Sequence, residues 1–437
     1  MSSPSASHVC RCPAHGRRSS RVTQAFRTLF GPERRTLTLV SLILLVSMFV
    51  AFATGFWLLF RLVYIIALAI PLSWLLVWWN TRDIDADVDR RTTRAQVGQE
   101  AQEIIEVRNR AILPKVWLEV EDPSDLPGHR SKRVVIIPPR RSRNWVVNTP
   151  LRRRGLYDWG PLRITASDPF GLFRKHRYIG GTQQILVYPP VVDLPHFSAP
   201  PANLPGEGRF RRRTHYITPN AAGVREYAPG DAFNRIHWRS TARTGELMVK
   251  TFELDPASDI WVILDLDRRV SAGRDEESTE EYGVRIAASV ARHYIVNNRP
   301  VGMITFGKDL RVLEPERGQQ QLTRILETLA VAYAVGDAPL GNLLMEEQRR
   351  FGRHTTLVVV TSATDDHWLT AIQSLTQRGV RAAVILLDPT TFGDDRSPLL
   401  LFGQLTASDI LTYVVSRGDD LTLALSPTSS GVNVWQA

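Results

Sequence analysis

The chain reads as a two-helix transmembrane hairpin, then a β-sandwich, then a doubly wound α/β domain. Three observations predict this order. Residues 36–79 are almost uninterrupted apolar sequence. Residues 82–215 hold short strand-like runs punctuated by Pro, Gly and Asn. After residue 257, short apolar strands alternate with amphipathic helical patterns.

At 437 residues the chain has room for two or three domains. Its net charge of +10 is unevenly spread. Residues 1–35 form a basic leader with seven arginines against one acid, expected to lack fixed structure. Residues 82–215 hold 24 Lys/Arg against 15 acids, and residues 216–437 hold 22 against 28. That gradient suits a chain anchored at an anionic membrane surface better than one gripping nucleic acid. Cys10 and Cys12 lie in the leader beside His8 and His15. Their Cys-x-Cys spacing lacks the paired knuckles of a zinc module, and two cysteines so close build no disulfide framework.

The apolar stretch comes first. One helix over 36–79 would run ~65 Å at ~1.5 Å per residue, twice the ~30 Å hydrocarbon core. It must turn, and Gly55 is the natural place, giving spans 36–55 and 56–79. Trp57 and the Trp78–Trp79 pair then fall at opposite interfaces. Arg61, the one charge, can snorkel outward. Arg34 and Arg35 precede the pair, and Arg82, Arg90, Arg91 and Arg94 follow it. The positive-inside rule therefore places the leader and everything after residue 80 on the cytoplasmic side of an inner membrane. The stretch is too long for a cleaved signal peptide.

Within 82–215, the runs EIIEVRNR, KVWLEVED, RVVIIPP, NWVVNT, PLRITASD and QILVYPP predict a small sandwich. Arginine clusters at Arg140–Arg141–Arg143, Arg152–Arg154 and Arg211–Arg213 are expected at edges and turns. There they would protect strand edges and attract lipid headgroups. Asp168-Pro169-Phe170-Gly171-Leu172-Phe173 is turn chemistry, with the phenylalanines expected to pin the turn onto a core.

From 257 to 430, DIWVILDLD, VGMITFG, TTLVVVTSA, VRAAVILLD and LTYVVSRGD read as strands of a doubly wound parallel sheet. Ligands of such sheets sit beyond the carboxyl ends of the strands. The turns to watch are therefore Asp265-Leu266-Asp267-Arg268-Arg269 and the SATDD turn after a central strand.

Between these regions, residues 216–256 carry VREYAPGDAFNRIHWRSTAR. His237 with Asp231 or Glu226 could serve as an oriented general base, which defines a hydrolase alternative, but no nucleophile elbow accompanies it. Four arginines offset by two acids make a poor nucleic-acid grip. The reading that uses every residue is a charged brace and docking surface, built on a Gly230-Asp231 turn, paired arginines and Trp238 as an apolar anchor.

Arg225-Glu226-Tyr227, Pro229-Gly230-Asp231, Arg235-Ile236-His237-Trp238, Ala242-Arg243 and the Leu247–Glu253 run resemble the signature of the bacterial domain-of-unknown-function-58 family. The resemblance implies a von Willebrand factor A-like C-terminal domain and a partnership with a MoxR-type AAA+ ATPase or its client in protein assembly or maturation. Such domains often hold Mg²⁺ through Asp-x-Ser-x-Ser, a loop threonine and a later aspartate. Here Asp267 and Arg269 replace the serines, so Asp265 and Asp267 are weak metal candidates and no cofactor is expected. No catalytic residue is assigned, and no G-x-x-x-x-G-K-[ST] loop occurs.

Overall fold

The computed structural model describes residues 35–200, 221–228, 236–252 and 259–426. They divide into two compact units. The first takes in the chain up to Thr93, Glu100–Pro150 and Tyr157–Ile185; the second holds Arg94–Gln99, Leu151–Leu156 and everything from Leu186.

In the first unit, α1 (Arg35–Thr54) and α2 (Trp57–Thr81) are both long and apolar enough to cross a membrane. Gly55 between them has φ +65°, the left-handed conformation glycine adopts without a Cβ clash. Phe52 and Phe60 meet edge to face across the bend at 5.4 Å. The Arg61 guanidinium lies 4.2 Å from the Trp57 ring.

Ten strands follow in chain order, β2 assigned to the second unit and β7 and β10 divided between the two: β1 (Ile84–Arg90), β2 (Arg94–Gln96), β3 (Glu100–Asn109), β4 (Lys115–Glu121), β5 (Arg133–Ile137), β6 (Ser142–Pro150), β7 (Gly155–Trp159), β8 (Leu162–Ser167), β9 (Arg174–Ile179) and β10 (Gln183–Tyr188). An antiparallel sheet ordered β1-β3-β6 and another ordered β5-β4-β8-β9 share one apolar core. Ile105 and Val107 come from the first sheet, and Leu118, Val120, Leu162 and Ile164 from the second. Along β3 the period of two puts Ala101, Glu103, Ile105, Val107 and Asn109 on the buried face.

The Asp168 turn forms as expected. Phe173 N donates to Asp168 Oδ1 at 2.7 Å and Phe170 N to Oδ2 at 3.0 Å. The anchoring residue differs from expectation, however. Leu172 is buried and Phe173 packs against the core, whereas Phe170 is 67% exposed.

In the second unit, β11 (Ala221–Glu226) and β12 (Met248–Phe252) pair antiparallel, with the short helix α3 (Trp238–Thr244) between them in sequence. The main elements are β13 (Asp259–Asp265), a two-residue hairpin (β14, Gly273–Arg274; β15, Glu277–Ser278), α4 (Thr279–Val296), β16 (Val301–Phe306), β17 (Leu310–Glu316), α5 (Gln319–Ala330), α6 (Leu340–Glu347), β18 (Thr355–Thr361), α7 (His367–Gln377), β19 (Arg381–Leu387), α8 (Leu399–Ala407), β20 (Leu411–Val415) and α9 (Leu421–Ala424). One six-stranded sheet is ordered β17-β16-β13-β18-β19-β20. Val262 and Leu264 enter the core on one face, Trp261 and Ile263 that on the other, so the sheet is covered twice. The expected all-parallel sheet is corrected: β17 runs antiparallel to β16 at the edge, making the sheet mixed.

The Arg152–Arg154 expectation is also corrected. Arg154 is not an edge charge but a fully buried one. Its Nε donates to Leu329 O at 3.1 Å, and its Nη2 to Ala332 O at 2.5 Å and to Glu280 at 2.9 Å. It is also ion-paired with Glu281. The first turn of α4 supplies both carboxylates, so the short segment Leu151–Leu156 belongs to the second unit.

Candidate functional site

The strand order reverses at β13, which has β16 on one side and β18 on the other. The carboxyl ends of β13 and β18 form the crevice where doubly wound sheets take ligands. They bring together Asp265 and Thr361. Thr361 Oγ1 donates to Asp265 Oδ2 at 2.6 Å, and Asp267 N donates to Oδ1 at 3.0 Å. Burial nevertheless pushes the Asp265 carboxyl up to about 6, and the charges of Asp267 and Asp365 add to the rise.

Asp267 behaves oppositely. Burial raises it, but Arg269 outweighs that and holds its carboxyl below the usual range. The Arg269 guanidinium forks onto it, Nε to Oδ1 at 3.0 Å and Nη2 to Oδ2 at 2.6 Å, and the Arg269 N–H donates to Oδ1 at 2.9 Å. Nη2 also donates to Asp337 O at 3.0 Å, while Arg268 pairs with the Asp337 carboxylate at 3.1 Å. Arg396, forked on Asp394, donates to Arg269 O at 2.9 Å. Beneath lies a cavity of about 10 Å³ bounded by Asp265, Asp267, Thr279, Glu280 and Ser362, space for about one water.

For Mg²⁺ this donor set fits poorly. Arg269 occupies both oxygens of Asp267, and Asp265 already accepts two hydrogen bonds, so a cation would have to displace the guanidinium. Among the described residues, no group of three or more His, Cys, Asp or Glu is placed to hold a metal. What the edge offers is a rim of arginines, exposed Arg268 and Arg269 and half-buried Arg396, each matched to its own aspartate.

The charged motif is described in part. On β11, Arg225 and Glu226 stand opposite Val249 and Met248. Tyr227 N donates to Leu247 O at 2.8 Å, and Ile236 bridges Val249. His237 caps α3: its Nδ1 accepts from Ser240 N at 3.2 Å and lies 2.7 Å from Ser240 Oγ. That His–Ser contact is the i,i+3 geometry of a helix cap. Trp238, expected as an apolar anchor, is 67% exposed, and Arg243 is exposed as well. Gly230, Asp231 and Arg235 lie outside the described residues.

A second cluster, in the first unit, went unmarked in the sequence. Arg90 forks onto Asp122 at 2.8 to 3.1 Å, both side chains buried. His129 contacts Asp122 O at 2.9 Å and Thr149 Oγ1 at 2.8 Å. Its Nε2 is 3.7 Å from fully buried Glu103. Burial, then the neighbouring Asp122 carboxylate, push Glu103 up to about 9, while burial holds His129 below its usual value. Period-two alternation in EIIEVRN was the available signal, because it puts Glu103 on the face of Ile105 and Val107.

The class defined so far is an apolar helical hairpin with a strand-rich region and an α/β module on a doubly wound mixed sheet. Residues 223–393 match the family described as "Protein of unknown function DUF58". It is 25% identical over 297 residues to the uncharacterized protein YeaD of Bacillus subtilis (strain 168), covering 66% of this chain and 72% of that protein. It is 24% identical over 172 residues to the uncharacterized protein Rv1480 of Mycobacterium tuberculosis (strain H37Rv), covering 38% of this chain and 54% of the relative's length. Among solved structures, proximal thread matrix protein 1 from the mussel byssus aligns with 38% of this chain and 46% of its own, at 12% identity and a TM-score of 0.29. The CARDB domain of PF1109 from Pyrococcus furiosus aligns with 24% of this chain and 92% of its own, at 14% identity and a TM-score of 0.18.

Proposed function

We propose that the chain is an inner-membrane adaptor with no catalytic activity of its own. Its body faces the cytoplasm, and its von Willebrand factor A-like α/β domain grips a protein partner at the carboxyl edge of the sheet. The partner is a MoxR-type AAA+ ATPase or that ATPase's client, in protein assembly or maturation. One observation carries this reading: at the strand-order switch, Asp265 is hydrogen-bonded by Thr361, Asp267 is neutralised by Arg269, and an arginine rim stands at the edge. Such a rim favours charged residues of another polypeptide over a small substrate.

Affinity purification of the detergent-solubilised full chain, with mass spectrometry and with or without EDTA, tests it. The expected outcome is capture of an AAA+ ATPase that EDTA leaves intact and Arg269→Glu abolishes. Capture lost in EDTA and in Asp265→Ala or Asp267→Ala would install a Mg²⁺-dependent adhesion module instead. Turnover of an acyl or peptide substrate by the purified chain, lost in His237→Ala, would make the protein a hydrolase.

A further inference from the structure

The first unit carries its own marker of where a bilayer surface would lie. Thr36 opens the apolar span of α1, and Thr81 closes α2. At that level, hydrogen bonds tie the helix ends to the strand-rich region. Thr36 Oγ1 donates to Gly171 O at 2.9 Å, in the Asp168 turn. Asn80 exchanges bonds with Val116, Nδ2 to its carbonyl at 3.0 Å and its N–H to Oδ1 at 3.2 Å. Arg110 N donates to Asp83 O at 2.9 Å.

Each tie has an exposed apolar side chain beside it. Phe170, next to Gly171, is 67% exposed; Trp117, next to Val116, is 50% exposed; Ile112, two residues past Arg110, is 72% exposed. A soluble surface has little reason to set three large apolar residues beside the ties to the ends of two apolar helices, and membrane-interface surfaces do so regularly. Phe170 stands on a rigid support, since Asp168 caps the turn and buried Leu172 holds it to the core.

Charge points the same way. Edge strand β9 is exposed from Arg174 to Tyr178, with Lys175 and Arg177 among its residues. Arg177 reaches toward Thr81 O at 3.5 Å, which puts this basic strand beside the end of α2. Arg82 sits over Trp78 at 4.6 Å. Asp83 and Asp85 are the opposing acids, and Asp85 is already paired with Arg110.

We infer that this end of the strand-rich region is a third membrane contact, with Phe170, Trp117 and Ile112 entering the headgroup layer and the basic strand β9 facing anionic lipid. The inference rests on the reading of α1 and α2 as membrane-spanning. Its consequence is that the hairpin does not dangle the body on a flexible tether. The first unit lies seated on the bilayer, its orientation fixed by three apolar points and attraction to acidic headgroups.

The test uses the full chain with Cys10→Ser and Cys12→Ser, carrying a single environment-sensitive fluorophore at Phe170→Cys, Lys132→Cys or Val46→Cys. Each is placed in nanodiscs of phosphatidylglycerol and phosphatidylcholine doped with headgroup-nitroxide or mid-chain-nitroxide lipid. Lys132 pairs with Glu119, four residues along β4 from Lys115, or ~13 Å at ~3.3 Å per residue. Headgroup nitroxide should quench the probe at 170 and spare the one at 132, and quenching at 170 should weaken in discs of phosphatidylcholine alone. Equal signals at 170 and 132, or quenching indifferent to anionic lipid, overturn the inference. If the Val46 probe is quenched by mid-chain nitroxide while 170 is not, the seat is wrong and the anchor stands. If Val46 is not quenched either, both fall.

Discussion

Two clusters, one in each unit, are built from the same parts: two carboxylates and one guanidinium. In the first unit Arg90 forks onto Asp122 beside a Glu103 whose pKa is raised; in the second Arg269 forks onto Asp267 beside an Asp265 whose pKa is raised. The difference is where the arginine stands. The Arg90 side chain is 5% exposed and that of Arg269 55%. A closed cluster can only hold its own sheets together, while an open one presents its charges to whatever docks. Identical chemistry therefore reads as architecture in one place and as a candidate site in the other.

The largest expected effect separates them directly. Arg90→Met strands the buried Asp122 carboxylate, and breaking such a pair costs about 3–5 kcal/mol. Arg269→Met removes an arginine screened by solvent and should move the unfolding midpoint far less. Denaturant melts of the two variants in detergent make the comparison. Equal losses would mean that the sheet edge is a structural clamp as well.

Next in size is a pH effect. Glu103 has a folded pKa of about 9, raised from 4.5, so the folded chain holds its proton where the unfolded chain releases it. Its contribution is complete below the unfolded value and is lost as pH rises toward the folded one, by at most about 1.4 kcal/mol per pH unit. Glu103→Gln mimics the neutral acid. It should stabilise the protein more at pH 8.5 than at pH 5.5 in thermal melts. A variant whose gain is the same at both values would show that Glu103 is ionised in the fold.

How far the sequence disclosed these features follows from their physics. Length and apolarity are local, so the helical pair and its turn at Gly55 could be read directly. The strands DIWVILD and TTLVVVT were legible because burial on both faces leaves a continuous apolar run. Arg154 and Arg90 were not legible. An arginine in a basic stretch looks solvated until a distant element brings it a carboxylate, as α4 does with Glu280 and Glu281. Phe170 failed for a related reason. The turn was recognisable from Asp, Pro and Gly, but which of its three apolar residues faces the core depends on packing. At the sheet edge, Asp265 and Asp267 were found by position in the strand order, while Thr361 was passed over because its hydroxyl serves a residue ninety-six positions away.

The smallest effect sharpens the contrast further, because Asp265 stops contributing to the pH slope near pH 6 while Glu103 goes on to about 9. Asp265 rises from 3.8 to about 6, so its contribution is lost between roughly pH 4 and 6 and is constant above that. Asp265→Asn should reduce the slope of the stability profile in this acidic window, where Glu103 also contributes, and leave the limb above about pH 6, which belongs to Glu103, untouched. The gain is partly offset, because an amide retains one carbonyl oxygen for the two donors, Thr361 Oγ1 and Asp267 N. Thermal melts from pH 4 to pH 9 on the single variants and on Asp265→Asn with Glu103→Gln read both windows. Additive profiles are expected of groups with no shared partner. A double variant that departs from the sum would show that the closed and open clusters are coupled.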